Sequence, residues 1–134
     1  MAVDSSSPGS AKDWLRHARS DLELACIDQP EGVLLETLCF HAQQATEKAL
    51  KAVFVFLETD FPRTHNIRTL LDLLSNHIGI PQVVDASAGL TDYAVESRYP
   101  MNTEPVDEEE YQHAIGLAKL VVHWAETLIC ENIR

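Results

Sequence analysis

Apolar residues recur every three or four positions along most of this chain, which is the spacing of helices that bury one face. Ser10 followed by Asp13 is typical of a helix N-cap. The apolar positions that follow are Trp14, Leu15, Ala18, Leu22 and Ala25. The positions assigned to an opposite, charged face are Arg16, Arg19, Asp21 and Glu23. This pattern predicts an amphipathic first helix that ends in the break at residues 28–32.

A second and longer helix is predicted from about Val33 to Glu58. Its apolar stripe consists of Leu38, Ala42, Ala45, Ala49, Ala52 and Phe56. Between Ala49 and Leu57 the helix is apolar on nearly all sides. A helix of this kind lies at the centre of a fold or buries a second face.

Three further helices are predicted after the second. Thr64 or Asn66 caps a short third helix, whose apolar positions are Ile67, Leu70, Leu71 and Leu74. A fourth covers part of residues 85–97, with Leu90, Tyr93 and Ala94 facing inward, and should end at Tyr99-Pro100. Asp107 and Glu110 form a second capping box, which begins a long last helix.

The fold class predicted from these patterns is all-α. No strand-like alternation and no internal repeat occurs in the 134 residues, which suffice for one buried core. We expect an antiparallel, up-and-down bundle of about five helices with a core like that of a four-helix bundle. Residues 1–10, rich in Ser, Gly and Pro, are predicted to be a flexible leader, and residues 11–131 a single domain.

Charge and composition narrow the possible functions. The formal net charge is -11, from 21 acidic and 10 basic residues, which argues against binding duplex DNA through its phosphates. No apolar run approaches membrane-spanning length, and no secretory signal is present, so a cytoplasmic protein is expected. The three cysteines lack any CxxC pattern and are expected to be reduced and mostly buried.

No motif predicts a metal, a cofactor or a catalytic residue. Glu110 and His113 form one Glu-x-x-His pair, whereas a di-iron bundle needs this motif on two helices. No cluster of Cys and His has zinc-site spacing. The sequence also has no nucleophile elbow and no glycine-rich phosphate loop.

A polar stripe on the second helix is the first candidate site. It consists of His41, Gln44, Lys48 and Lys51, at offsets of three, four and three along an otherwise apolar helix. The lysines can meet phosphate, and the other two side chains can hydrogen-bond a base or a sugar. The alternative is a solvated face on which Glu47 and Lys51 form an ordinary i,i+4 ion pair.

His65 is the second candidate. It stands in the turn of residues 62–66, directly before a helix start, where an imidazole and free N–H groups can face an anion. The alternative is a histidine that only packs near the helix cap.

Three segments together resemble HEPN domains. Residues 38–52 are similar to the long central helix of that family, and residues 61–71 to its turn and third helix. Residues 94–100 are similar to the Arg-Tyr-Pro corner, and residues 13–18 are also typical of the family. The resemblance covers residues 12–128.

This resemblance implies a small prokaryotic protein that forms a homodimer. Such proteins are often encoded beside a minimal nucleotidyltransferase, as a two-component, toxin–antitoxin-like system. Some HEPN proteins are ribonucleases, and others are proposed nucleotide binders. In a nucleotide binder, Arg98 would contact phosphate and Tyr99 would stack, with Lys48, Lys51 and His65 completing the anion-binding surface.

The ribonuclease motif of the family is incomplete in this sequence. HEPN ribonucleases have four to six residues between the arginine and a histidine, a spacing that here leads from Arg98 to Thr103, Glu104 and Pro105. None of these acts as an acid or base in the manner of histidine. The sequence therefore favours a non-catalytic module that binds a nucleotide or a nucleotidyltransferase. The alternatives are a ribonuclease that pairs Arg98 with His113 or His65, and a structural scaffold.

Overall fold

The computed structural model describes residues 7–94 and 104–132 of the chain. Within these residues it contains five α-helices and one 3₁₀ helix, and no strand. The helices are α1 (Ala11–Ala25), α2 (Leu35–Phe56), α3 (Ile67–Leu74), α4 (Gln82–Asp85), the 3₁₀ helix (Ala86–Tyr93) and α5 (Glu108–Asn132). The all-α bundle of about five helices is therefore confirmed.

The long helices α1, α2 and α5 run up and down, with α2 in contact with most of the others. Residues near the start of α1 contact the end of α2, as Trp14 and Lys51 show, so these two helices are antiparallel. Tyr111 at the start of α5 donates to the Ala25 carbonyl at the end of α1, and Glu126 farther along α5 binds Arg19, so α1 and α5 are also antiparallel. The starts of α2 and α5 meet, because the Val106 N–H donates to the carboxylate of Glu36.

Small side chains line the buried stripe of α2. Ala42, Ala45, Ala49 and Ala52 are all fully buried, and so are the larger Leu50 and Phe54. Alanines bring the backbones of packed helices close together, while the larger residues fill the remaining space. The expected apolar stripe is thus the core of the molecule, with Phe56 only half-buried at its end.

The helix caps form where the sequence places them. The Ser10 hydroxyl accepts from the Asp13 N–H at 3.1 Å, and the Asp107 carboxylate accepts from the Glu110 N–H at 2.8 Å. Of the two candidates for α3, Asn66 is the N-cap residue, and its side chain accepts from the third residue of that helix.

The end of α2 is an unusual cap. Glu58 has a φ of 57° and is the one non-glycine residue with positive φ in the described part of the chain. The next N–H, that of Thr59, donates back to the Phe54 carbonyl. This bond is the six-to-one link of a Schellman motif, in which the left-handed position usually holds glycine.

The fourth helix differs from the expectation. The α-helical part is short and begins at Gln82, after Pro81, and a 3₁₀ helix continues to Tyr93. The buried residues of this segment are Val84, Ser87, Leu90 and Tyr93. A spacing of three places them on one side of a helix with three residues per turn, which explains the 3₁₀ form. Ala94 is already extended, and the expected end at Tyr99 lies outside the described residues.

The cysteines are free thiols in three different environments. Cys39 is buried and Cys26 is half-buried, and burial raises the pKa of the Cys26 thiol. Cys130 is exposed, contrary to the expectation of mostly buried thiols, because position 130 faces outward from α5. Among residues 7–94 and 104–132, no helix combines the length and hydropathy needed to cross a lipid bilayer.

Candidate functional site

The polar stripe of α2 lies along the border with α1. His41, Gln44, Lys48 and Lys51 are all partly exposed, and the residues on either side of them are mostly buried. The stripe is therefore a narrow ridge between the core and the solvent. We refer to these four residues as the α2 ridge.

Asp21 of α1 binds the first half of the ridge. Its Oδ1 lies 3.0 Å from His41 Nδ1, and its Oδ2 lies 2.6 Å from Lys48 Nζ. A carboxylate only accepts hydrogen bonds, so the ring nitrogen that faces it carries a proton. One carboxylate thus joins two donors that lie two turns apart on the facing helix.

Glu47 binds the second half of the ridge, and it is only 3% exposed. Its carboxylate accepts from Lys51 Nζ at 2.8 Å and from the side-chain amides of Gln43 and Gln44 at 2.9 and 3.3 Å. It also lies 3.0 Å from Nδ1 of His65. The four donors compensate for the loss of hydration that burial of the charge entails.

Lys51 is held by aromatic rings as well as by Glu47. Its ammonium lies 5.9 Å from the ring centroid of Trp14 and 5.5 Å from that of Phe61. Both distances are within the range of cation–π attraction. The Lys51 side chain is only 12% exposed, so this ammonium is part of the core boundary rather than of an open surface.

The hydrogen bonds decide the charge state of Glu47. Burial by itself raises the pKa of this carboxyl, but the bonds from Lys51, His65 and Gln43 outweigh burial and hold the pKa below its ordinary value. Glu47 is therefore ionised at neutral pH, and the Glu47–Lys51 ion pair that the sequence offered as an alternative is present.

His65 lies at the turn before α3, as expected. Its Nδ1 contacts Glu47, and its carbonyl accepts a long bond of 3.4 Å from Gln43. Slightly more than half of its side chain is exposed. His65 therefore combines a fixed ring nitrogen with access to solvent.

The structure brings together five of the seven candidate residues. His41, Gln44, Lys48 and Lys51 form the ridge, and His65 reaches it through Glu47. Arg98 and Tyr99 lie outside the described residues. That all seven form one site stays a prediction.

The Glu-x-x-His pair takes part in other contacts. Tyr93 donates to the carboxylate of Glu110 in a short hydrogen bond, and His113 is exposed on α5. In the ranges 7–94 and 104–132, no group of three His, Cys, Asp or Glu side chains has the geometry of a metal site.

Sequence reasoning misses the two carboxylates that organise the ridge. The sequence pattern places Asp21 on the charged outer face of α1, but its side chain is only 14% exposed and faces α2. Around the helix axis, position 21 lies next to the buried positions 18, 22 and 25. This placement is the feature of the sequence that could have indicated a partly buried Asp21. Glu47 pairs with Lys51 as the sequence suggests, while its contact with His65 depends on the turn that brings α3 back to α2.

The positive charges of the α2 ridge are already compensated by carboxylates of the same chain. His41 and Lys48 share Asp21, and Lys51 and His65 share Glu47. An anion approaching the ridge must therefore compete with a carboxylate of this chain. The described contacts provide positioning and charge compensation, and they do not assemble an acid, a base and a nucleophile.

Two solved structures share this fold over nearly their whole length. One is TT1696 from Thermus thermophilus, with 29% identity, a TM-score of 0.71 and coverage of 89% of this chain and 98% of that one. The other is ST0689, an archaeal HEPN homologue, with 28% identity, a TM-score of 0.72 and coverage of 90% and 98%. No curated protein sequence matches this chain significantly.

The family model of the HEPN domain matches residues 11–128. This range begins with α1 and includes all but the last residues of α5, so both the α2 ridge and the Asp21 and Glu47 carboxylates lie inside it. The chain belongs to the HEPN domain family.

Proposed function

We propose that this protein is a non-catalytic binding module of a two-component, toxin–antitoxin-like system that pairs a HEPN protein with a minimal nucleotidyltransferase. The observation that carries the proposal is the compensation of the α2 ridge, where each cationic or histidine side chain contacts Asp21 or Glu47. Compensated charges suit reversible docking of a partner better than tight binding of RNA, which depends on neutralising phosphates.

The incomplete ribonuclease motif supports the non-catalytic part of this proposal. The positions at ribonuclease spacing after Arg98 hold Thr103, Glu104 and Pro105. A carboxylate at Glu104 would repel the phosphates of an RNA substrate. His113 is far from this spacing and lies exposed on α5.

The acidic surface supports a basic protein as the partner. With a net charge of -11, the chain attracts a positively charged surface and accelerates the encounter with it. If the partner or its nucleotide binds at the Arg-Tyr-Pro corner, Arg98 would donate two hydrogen bonds to a phosphate and Tyr99 would stack on a base.

Thermal-shift titration tests the nucleotide part of the proposal. A ligand that binds only the folded protein raises the unfolding midpoint, so ATP, GTP and a short single-stranded RNA are titrated against the native protein. We expect a shift with a nucleotide that is lost in Arg98→Ala and kept in Arg63→Ala, a control that removes an exposed arginine near His65. Cleavage of the RNA by the native protein, abolished in Arg98→Ala, would replace the proposal with a ribonuclease.

We also propose that the module is a homodimer that uses the outer face of α5. Leu120 is 46% exposed, and Leu117 and Trp124 beside it on the helix are half-buried. The spacing of three and four places these side chains in one apolar stripe, which a second helix can cover. Analytical ultracentrifugation is expected to find a dimer that Leu120→Glu dissociates and Lys119→Glu does not.

A further inference from the structure

His41 and Lys48 converge on one carboxylate although their Cα atoms lie about 10 Å apart along the helix axis. Their nitrogens reach the two oxygens of Asp21 at 3.0 and 2.6 Å. Two donors on different turns of a helix that bind the two oxygens of one group can also bind an oxyanion. In the structure, the anion that His41 and Lys48 bind is the carboxylate of Asp21.

The two carboxylates of the ridge differ in how easily another anion could replace them. Glu47 is 3% exposed and has donors from four side chains, so its displacement would leave several buried polar groups unpaired. The Asp21, His41 and Lys48 side chains are 14%, 25% and 29% exposed. Solvent therefore reaches all three side chains, and the Asp21 carboxylate can turn towards water and remain hydrated when it leaves His41 and Lys48.

We propose that His41 and Lys48 form a phosphate-binding site that Asp21 occupies as an internal competitor. A phosphate group enters by displacing the Asp21 carboxylate from His41 Nδ1 and Lys48 Nζ. This proposal rests on the proposed function in one respect: His41 and Lys48 are the part of the binding module that contacts a phosphate group. Phosphate binding at this site is also connected to the packing of α1 on α2, because Asp21 is the residue of α1 that contacts both donors.

Competition by a residue of the same chain weakens the binding of a free ligand. The site is available only in the fraction of molecules in which Asp21 has left it, and the apparent affinity falls by that fraction. Removing the charge of Asp21 while keeping its shape should therefore expose the site. Asp21→Asn does this, because an amide cannot pair ionically with Lys48.

Isothermal titration calorimetry with inorganic pyrophosphate tests the proposal on the full chain. We expect Asp21→Asn to bind on the order of tenfold tighter than the native protein, as the competing charge is gone. The double variant Asp21→Asn, Lys48→Gln should lose this gain. ADP distinguishes the source of the phosphate, since a nucleotide site binds ADP tighter than pyrophosphate and a free-phosphate site does not.

Glu126→Gln is the matched control. It removes the same formal charge from an ion pair that joins α1 to α5 instead of α2, in which Glu126 binds Arg19. If this variant gains as much affinity as Asp21→Asn, the gain reflects net charge and the proposal is wrong. The proposal also fails if Asp21→Asn remains folded by circular dichroism and binds no tighter than the native protein.

The outcome is separable from that of the proposed function. The pyrophosphate gain requires neither a nucleotidyltransferase nor Arg98, so it can be found even if no nucleotide shifts the native protein. Conversely, a nucleotide shift that depends on Arg98 and is unchanged in Asp21→Asn would support the module and overturn the internal competitor.

Discussion

Glu58 adopts the left-handed backbone conformation that ends α2, with a φ of 57°. A side chain makes this conformation unfavourable by about 1–2 kcal/mol, because Cβ approaches the carbonyl oxygen. Glycine has no such clash and is the usual residue at this position. Glu58 is exposed, and its side chain makes no hydrogen bond to another described residue that would offset the strain.

We predict that Glu58→Gly stabilises the protein by about 0.5–1 kcal/mol, which is the strain relieved less the added freedom of the unfolded chain. Urea unfolding at pH 7 measures the change. Glu58→Ala removes the same charge but keeps Cβ, so it should gain little. Equal gains in both variants would attribute the effect to charge instead of backbone strain.

Glu47 is a charged residue whose replacement is expected to have a large effect on stability. Its removal leaves the Lys51 ammonium, 12% exposed, without its anionic partner. We predict that Glu47→Gln destabilises the protein by about 3 kcal/mol, and that replacing both residues by methionine restores much of the loss. Asp72→Asn, at an exposed ion pair with Arg68, should cost less than about 0.5 kcal/mol in the same urea experiment.

The effect of Glu47 should depend on pH in a defined direction. Its pKa is lower in the folded protein than in the unfolded chain, so the folded state binds the proton less readily. The stabilisation is complete above the unfolded pKa of about 4.3 and is lost as the pH falls through the lower folded value. Unfolding midpoints between pH 7 and pH 3 should show the difference between native protein and Glu47→Gln shrinking on acidification. A constant difference would mean that the charge of Glu47 is not responsible.

The N-terminus of α1 is stabilised by a side-chain cap. Ser10 satisfies the Asp13 N–H, which has no partner inside the helix. We predict that Ser10→Ala lowers the free energy of unfolding by about 1 kcal/mol. Ser20→Ala is the control on the same helix, since Ser20 is exposed and alanine is the better helix former. A loss in both variants would argue against a capping effect.

The helices are predictable to the extent that local chemistry determines them. The caps at Ser10, Asn66 and Asp107 depend on residues within one turn, so sequence spacing identifies them. The segment from Gln82 to Tyr93 is harder to place, because its burial period of three lies close to the α-helical spacing. Helix ends also differ from the prediction by about two residues, as at Leu35 and Phe56, because fraying ends have weak signals.

The candidate site is less predictable, because its partners come from different helices. Asp21 meets Lys48 from 27 residues away, and Glu47 meets His65 from 18 residues away. Periodicity indicates which side of a helix a residue occupies but not which neighbour that side meets. The sequence therefore predicts the α2 ridge as a set of residues, but not its compensation by Asp21 and Glu47.

As a whole molecule, the protein carries a net charge of -11 that repels itself. Exposed ion pairs such as Arg16–Asp13 contribute little stabilisation to offset this electrostatic repulsion. We predict that salt at about 0.3 M NaCl raises the thermal midpoint relative to low salt at pH 7, because salt screens repulsion between distant charges. The rise should shrink near the isoelectric point of about 4.8. A lower midpoint in salt at pH 7 would show that ion pairs outweigh the repulsion.

The hydrogen bond from Val106 N–H to Glu36 has a consequence for the order in which the molecule folds. It joins positions 70 residues apart, whereas α1 and α2 are consecutive helices connected by a short loop. Closing the long loop costs more chain entropy than closing the short one. The α1–α2 hairpin, with Asp21 between His41 and Lys48, can therefore form on a growing chain before α5 has been synthesised. Until α5 arrives, the alanine stripe of α2 stays open on one side, and that interval is when a nascent chain is most exposed to a chaperone or to a second copy of itself.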